Sequence, residues 1–310
     1  MNSTFVFYSE LDRFEEWRAL LAPLLPGVHI CRAQDVEDPA SVHYALVWKP
    51  PQGFFGRYPR LKLLINLGAG VDSLVGRDDL PAVPITRICD PDMSRMMASY
   101  VLFAVLRYAR DIPAFERAQR ERRWHYLHPR VPSSIRVGVL GLGELGAYAA
   151  LELARQGLDV RGWSRSEKHL AGVTCVSGMG NLAGFLASSD ILVVMLPLTA
   201  QTRGLLNAER LALLPKGGCL INVSRGAVVD QQALTAALAS RQIGQATLDV
   251  FDHEPLPPED PLWALDNVLI TPHMASIAIP ATAAQQIADN ILRLGRGEAV
   301  LHQVDPARGY

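Results

Sequence analysis

Short apolar runs alternate along this chain with longer polar or amphipathic stretches. The runs at residues 4–8, 28–32, 45–48, 61–67 and 84–88 are too short for helices and are rich in Val, Ile, Leu and Phe. They predict buried strands joined by helical or polar crossovers, which is a parallel α/β unit. A second series starts at residues 136–140 and continues through 158–163, 173–176, 191–196, 219–223, 246–250 and 268–271. It predicts a second doubly wound sheet of about six strands.

Helical spacing fills the intervals. Residues 144–156 repeat apolar side chains at helical period, with Gly157 placed to end the helix. Residues 94–124 read as one long helix, apolar in its first half and carrying Arg117, Arg120, Arg122 and Arg123 in its second. Its run at residues 96–106 falls short of the ~20 residues that span a bilayer, so a buried helix is expected and no membrane segment. A last helical pattern at residues 281–294 returns the chain to the first unit. The expected division is therefore residues 1–97 with 279–310 as one domain and 98–278 as the other.

The join between residue 140 and residue 144 carries the first chemistry. Gly141, Leu142, Gly143, Glu144, Leu145 and Gly146 form a GxGxxG turn between a buried strand and a helix start. Gly141 suits the positive φ of a tight turn, Gly143 lets backbone approach a pyrophosphate, and Gly146 lets helix pack on strand. The helix amino end then offers N–H groups and partial positive charge to phosphate oxygens.

Composition narrows the partners. A net charge of −1 gives no field that would favour nucleic acid or an anionic membrane, so any anion site is local. Cys31, Cys89, Cys175 and Cys219 are scattered, without CxxC pairs or clustered histidines, so neither zinc nor any other metal is expected. Reduced cysteines and an amino end without basic and apolar signal regions point to the cytoplasm.

Three further polar residues stand just past apolar strands, where open α/β sheets bind ligands. Arg225 follows Ile221-Asn222-Val223-Ser224, and its fork suits a carboxylate. Glu254 follows Asp249-Val250-Phe251-Asp252-His253, and His273 follows Thr271-Pro272. Taken singly, each has a plain reading: a surface cation, a turn acid before proline, a loop histidine.

Taken together, with Asn66-Leu67-Gly68-Ala69-Gly70-Val71-Asp72 and Leu196-Pro197-Leu198-Thr199, these segments resemble the D-isomer-specific 2-hydroxyacid dehydrogenase family over nearly the whole chain. Ala45-Leu46-Val47-Trp48-Lys49-Pro50-Pro51 and Trp163-Ser164-Arg165-Ser166 are most similar to its bacterial glyoxylate/hydroxypyruvate reductase A group. The resemblance implies a flavodoxin-like substrate domain and a Rossmann cofactor domain. It also implies His273 as acid and base, Glu254 paired with it to favour its charged form, and Arg225 on the substrate carboxylate with the backbone N–H groups of Ala69 and Gly70.

Cofactor contacts implied by the same resemblance are the 141–146 loop, Leu196, Pro197, Val223, Ser224 and Asp249, the last facing the nicotinamide carboxamide. Ser164, Arg165 and Ser166 stand where NAD enzymes commonly carry an acid for the ribose 2′-hydroxyl. An arginine between two hydroxyls favours a 2′-phosphate, hence NADPH over NADH. Trp48 either lines the substrate pocket or packs in the core. Ser99 stands where many relatives have an acid, so contacts there are not carried over.

The expected activity is NADPH-dependent reduction of small 2-oxo acids, glyoxylate or hydroxypyruvate, by a homodimer joined through residues 113–124. The alternatives are a dehydrogenase for a bulkier 2-oxo acid, of phenylpyruvate or phosphoglycerate type, and a nucleotide-sensing protein without turnover.

Overall fold

The computed structural model describes residues 3–305; the expected domain limits at residues 1 and 310 lie outside these. In chain order the elements are β1 (Ser3–Tyr8), α1 (Phe14–Leu24), β2 (Val28–Arg32), β3 (Val42–Val47), β4 (Leu63–Asn66) and β5 (Ile85–Arg87). There follow α2 (Pro91–Ala109), α3 (Ile112–Arg120), β6 (Arg136–Leu140), α4 (Glu144–Arg155), β7 (Asp159–Ser164) and β8 (Thr174–Ser177). Next are α5 (Leu182–Ala187), β9 (Ile191–Val194), α6 (Ala208–Leu211), β10 (Gly218–Asn222), α7 (Gln231–Ala239), β11 (Ile243–Leu248), β12 (Val268–Ile270) and α8 (Pro280–Gly295).

The fold is two parallel-sheet α/β units. Internal contacts divide the chain into Met1–Met93 with Ile277–Tyr310, and Ser94–Ser276. The first division falls four residues before the expected 97/98 limit, inside the first turn of α2, and the second falls two before 278/279.

In the first unit five parallel strands lie in the order β2-β1-β3-β4-β5. One face of this sheet is closed by α1 and α8. Phe5, Phe7, Leu46, Leu63 and Ile65 pack there with Trp17 and Leu21 of α1 and with Ala283, Ala284, Ile287, Ala288 and Ile291 of α8. Small residues along α8 let it lie close, and each large side chain so buried stabilises by roughly 1.5–3 kcal/mol. Asn290, itself buried, accepts from Leu301 N and donates to Leu301 O, tying the segment after α8 back onto it.

In the second unit seven parallel strands lie in the order β12-β11-β10-β9-β6-β7-β8. The expected count of about six is one short of the seven observed, although each of the seven apolar runs overlaps a strand; the run at 173–176 is β8, a half-buried edge strand of sequence Thr-Cys-Val-Ser. The chain order reverses between β9 and β6, the point where a doubly wound sheet opens a crevice for ligands.

Two expectations about helices are corrected. The single helix over residues 94–124 is two, α2 and α3. Asp111 at φ 55° breaks the run, and Pro113 lies in the first turn of α3. Arg107 of α2 holds Glu116 of α3 through two parallel bonds of 2.7 and 2.8 Å, tying the two helices across the break. Trp124 therefore stands past the helix, in irregular chain, and is 99% exposed. The apolar run 96–106 is not buried all round: Met97, Ala98, Val101, Ala104 and Val105 face the core, while Phe103 is 54% exposed.

Candidate active site

In a parallel sheet all carboxyl ends lie along one edge, so the loops after β6, β7, β9, β10, β11 and β12 emerge together. Nearly every candidate of the second unit is in one of them. Local sequence explains how each loop is held.

After β6 the chain turns at Gly141 with φ +117°, a conformation other residues rarely adopt. A Cβ on Gly146 would stand 1.9 Å from the Gly141 carbonyl oxygen, so α4 closes on the strand only because position 146 has no side chain. Gly143 is the N-cap of α4, exposed, with open space where a Cβ would be, and no side chain caps the helix. This is a cradle that fits a pyrophosphate: Gly143, Glu144 and Leu145 would present backbone N–H groups at a helix amino end. Leu142 contributes backbone alone, since its side chain is 3% exposed and packs in the core beneath.

Past β7, the Ser164 hydroxyl donates to the Ser166 carbonyl at 2.7 Å and shapes the turn that presents Arg165 at the surface. Of the two hydroxyls expected to flank a 2′-phosphate, that of Ser164 is thus engaged within the turn. Leu196 is buried and Pro197 exposed past β9. Val223 packs in the core and, like Leu142, offers backbone.

The loop after β10 is organised by Asn222, 1% exposed. Its Nδ2 donates to the Arg225 carbonyl at 3.1 Å, and its Oδ1 accepts from the amide and hydroxyl of Ser224 at 3.1 and 2.9 Å. Gly226 then lies against the next loop so closely that a Cβ would stand 2.0 Å from the Phe251 carbonyl carbon. The loops bearing Arg225 and Glu254 are therefore packed backbone on backbone. Arg225 itself is half-buried and donates to the Ser224 carbonyl at 2.8 Å.

Glu254 and His273 meet directly. His273 Nδ1 lies 2.8 Å from Glu254 Oε2, while Glu254 Oε1 accepts from Phe251 N at 3.2 Å. An ionised carboxylate only accepts, so Nδ1 carries the proton and Nε2 is the ring nitrogen left to exchange one. The side chains are 27% and 23% exposed, partly shielded yet open to a ligand. His273 has φ 54°, a left-handed conformation that costs a non-glycine residue of order 1–2 kcal/mol. Asp249 compensates. Its carbonyl accepts from His273 N at 2.8 Å, and its carboxylate accepts from Met274 N, Ala275 N and the Thr271 hydroxyl at 2.9, 2.9 and 2.6 Å. With 1% exposure, Asp249 serves as the buried organiser of the histidine loop, a role that its sequence position did not suggest.

Sequence reasoning passed over Thr271 and Asn222, whose side chains hold these loops, and Tyr100, whose hydroxyl lies 2.5 Å from the Thr271 hydroxyl oxygen. Thr271 and Asn222 sat inside quoted motifs, and their polar side chains at the ends of buried strands were the available signal. Tyr100 lay in an apolar helical run and gave none.

In the first unit, Trp48 and the 68–70 turn follow β3 and β4. The Trp48 ring sits on Gly68, where a Cβ would be 2.6 Å from its Cζ3, and it packs at the margin of the core. Lys49 Nζ is 5.7 Å from the ring centroid. The carbonyls of Gly68 and Gly70 each accept from Asn66 Nδ2 at 2.9 Å, and that of Ala69 from Arg87 at 3.2 Å, which fixes how the peptide planes around Ala69 and Gly70 face.

Comparison with known proteins gives concordant findings. Residues 102–275 match the family model described as D-isomer specific 2-hydroxyacid dehydrogenase, NAD binding domain. The chain is 40% identical to glyoxylate/hydroxypyruvate reductase A of Serratia proteamaculans, over 98% of this chain and 99% of that protein. Among solved structures, a D-isomer specific 2-hydroxyacid dehydrogenase from Xanthobacter autotrophicus in complex with NADPH and MES is 64% identical, covers 100% of both chains and has a TM-score of 0.96. An NADPH-dependent glyoxylate/hydroxypyruvate reductase from Sinorhizobium meliloti in complex with NADP and sulfate is 34% identical with a TM-score of 0.94, covering 99% of this chain and 100% of that one.

Proposed function

Because the chain belongs to the D-isomer specific 2-hydroxyacid dehydrogenase family, we propose that it uses NADPH to reduce small 2-oxo acids, glyoxylate to glycolate and hydroxypyruvate to D-glycerate. The observation that carries this reading is the His273–Glu254 pair at 2.8 Å, on loops next to the one bearing Arg225. The 141–146 cradle would hold the pyrophosphate and Arg165 the 2′-phosphate. When bound, the reduced nicotinamide supplies the hydride that adds to the substrate's carbonyl carbon.

The protein's own groups manage charge and position. Arg225 grips the substrate carboxylate through its planar fork and sets the carbonyl in one orientation. Negative charge that builds on the carbonyl oxygen is met by a proton from His273 Nε2. Glu254 takes part by accepting from Nδ1, which keeps the ring oriented while the proton leaves Nε2. In the oxidative direction the same Nε2 takes the proton back.

The decisive experiment follows loss of reduced-nicotinamide absorbance with NADPH and NADH against glyoxylate, hydroxypyruvate, pyruvate and phenylpyruvate. Fast NADPH-linked turnover of the first two is expected. A preference for phenylpyruvate would transfer the reading to a bulkier substrate, and binding of NADPH without turnover of any acid would favour a sensor. In the same assay Arg165→Ala raises KM for NADPH by about tenfold or more and leaves KM for NADH nearly unchanged, since one charge-assisted contact is worth roughly 1.5–3 kcal/mol. Equal effects on both nucleotides would sink the role of Arg165.

A cytoplasmic homodimer belongs to the same reading. No helix among the described residues is long and apolar enough to cross a membrane. The stretch around α3 exposes Ile112, Trp124 and Tyr126, apolar area suited to a second copy. On sizing at micromolar concentration a dimer is expected; a monomer would overturn that assignment.

A further inference from the structure

We propose that Tyr100 is a positioning residue for His273, acting through Thr271 and Asp249. This inference rests on the reading of His273 as proton donor. It concerns a helix residue with no place in the catalytic motifs.

The direction of each hydrogen bond follows from proton count. Asp249 Oδ1 accepts from the Thr271 hydroxyl at 2.6 Å, which uses the single proton Thr271 has. The Tyr100 hydroxyl lies 2.5 Å from the same Thr271 oxygen, so Tyr100 is the donor there. A relay thus runs from α2 to Thr271 to the Asp249 carboxylate, whose remaining bonds are to Met274 N and Ala275 N, the two residues after His273. The Asp249 carbonyl holds His273 N itself.

Because His273 is in a left-handed conformation, its loop keeps that geometry only while these bonds hold it. Burial, with the Asp249 charge adding to it, pushes the Tyr100 phenol above its ordinary pKa, so it remains a donor at every pH where the enzyme would work. Without that donor the Thr271 oxygen loses its partner, and the hydroxyl is free to turn away from Asp249. The histidine then samples orientations in which Nε2 misses the carbonyl oxygen, while the phosphate cradle, which none of these hydrogen bonds reaches, is untouched.

The test is steady-state kinetics on full-length Tyr100→Phe, Thr271→Val, Thr271→Ser and the Tyr100→Phe/Thr271→Val double variant, with His273→Ala in parallel. Tyr100→Phe keeps the ring and is expected to lower kcat about three- to tenfold, the scale of one neutral hydrogen bond, with KM for NADPH within about twofold of the parent. Thr271→Val reproduces the loss and Thr271→Ser recovers most of it. The double variant loses about as much as the worse single one, because both break one relay. Unchanged kcat in Tyr100→Phe, a parallel loss of nucleotide affinity, or a double loss equal to the product of the singles would each overturn the proposal. If His273→Ala is inactive and Tyr100→Phe is normal, the relay alone fails; if His273→Ala still turns over, the reading of His273 fails first.

Discussion

His273→Ala lowers kcat for NADPH-linked glyoxylate reduction by about 10²- to 10⁴-fold, the usual worth of a positioned general acid. The KM for NADPH should stay close to that of the parent enzyme, because the 141–146 cradle belongs to other loops. The fold should survive too: the left-handed φ of 54° at position 273 is disfavoured for alanine, but the bonds that hold the loop run from its backbone to Asp249. Glu254→Gln makes the complementary case, since it keeps the shape and the Phe251 N contact but removes the charge facing Nδ1. It should fall between the parent and His273→Ala. A His273→Ala enzyme that retained about a tenth or more of the parental kcat would mean the proton comes from elsewhere.

Arg225→Ala has the other large effect, a fall in kcat/KM for the oxo acid of about 10²- to 10³-fold. Two charge-assisted bonds to a carboxylate are lost at once, each worth roughly 1.5–3 kcal/mol before water replaces part of it. Arg225→Lys keeps the charge and loses the fork, so it should recover only a fraction. Asn222 and Gly226 shape the loop through backbone contacts, so both variants should melt near the parent temperature. An unchanged KM for glyoxylate in Arg225→Ala would remove the carboxylate-binding role.

Much of this architecture could be read from apolar runs because parallel strands buried on both faces leave little else to read. The expected strand starts coincide with the observed ones at β2 and β6, while several ends overran. Leu67, Leu196, Val223 and Val250 continue their apolar runs and are buried, yet lie past the ends of their strands, since hydropathy reports burial and not pairing. The break at Asp111 was hidden because its cause is a single backbone torsion, with a proline two residues on, inside a run of good helix formers.

The site divides in the same way. Arg225, Glu254 and His273 could be picked out because a lone polar residue after an apolar strand is conspicuous. Which residues hold them was not readable, because Asp249 and Tyr100 do so through partners distant in sequence. Trp48 was open to two readings from sequence, and its ring packs on Gly68 at the margin of the core.

The discontinuous first unit has a consequence for biosynthesis. The side of its sheet carrying Phe5, Trp17 and Leu21 is completed by Ala283, Ile287 and Ile291, residues made only after the whole of the 94–276 unit. On the ribosome the 94–276 unit can reach its native contacts first, while the older amino-terminal strands wait with an uncovered apolar face. During synthesis the strands made before the 94–276 unit are thus covered only after it, and the nascent chain's demand for chaperones should be concentrated on them.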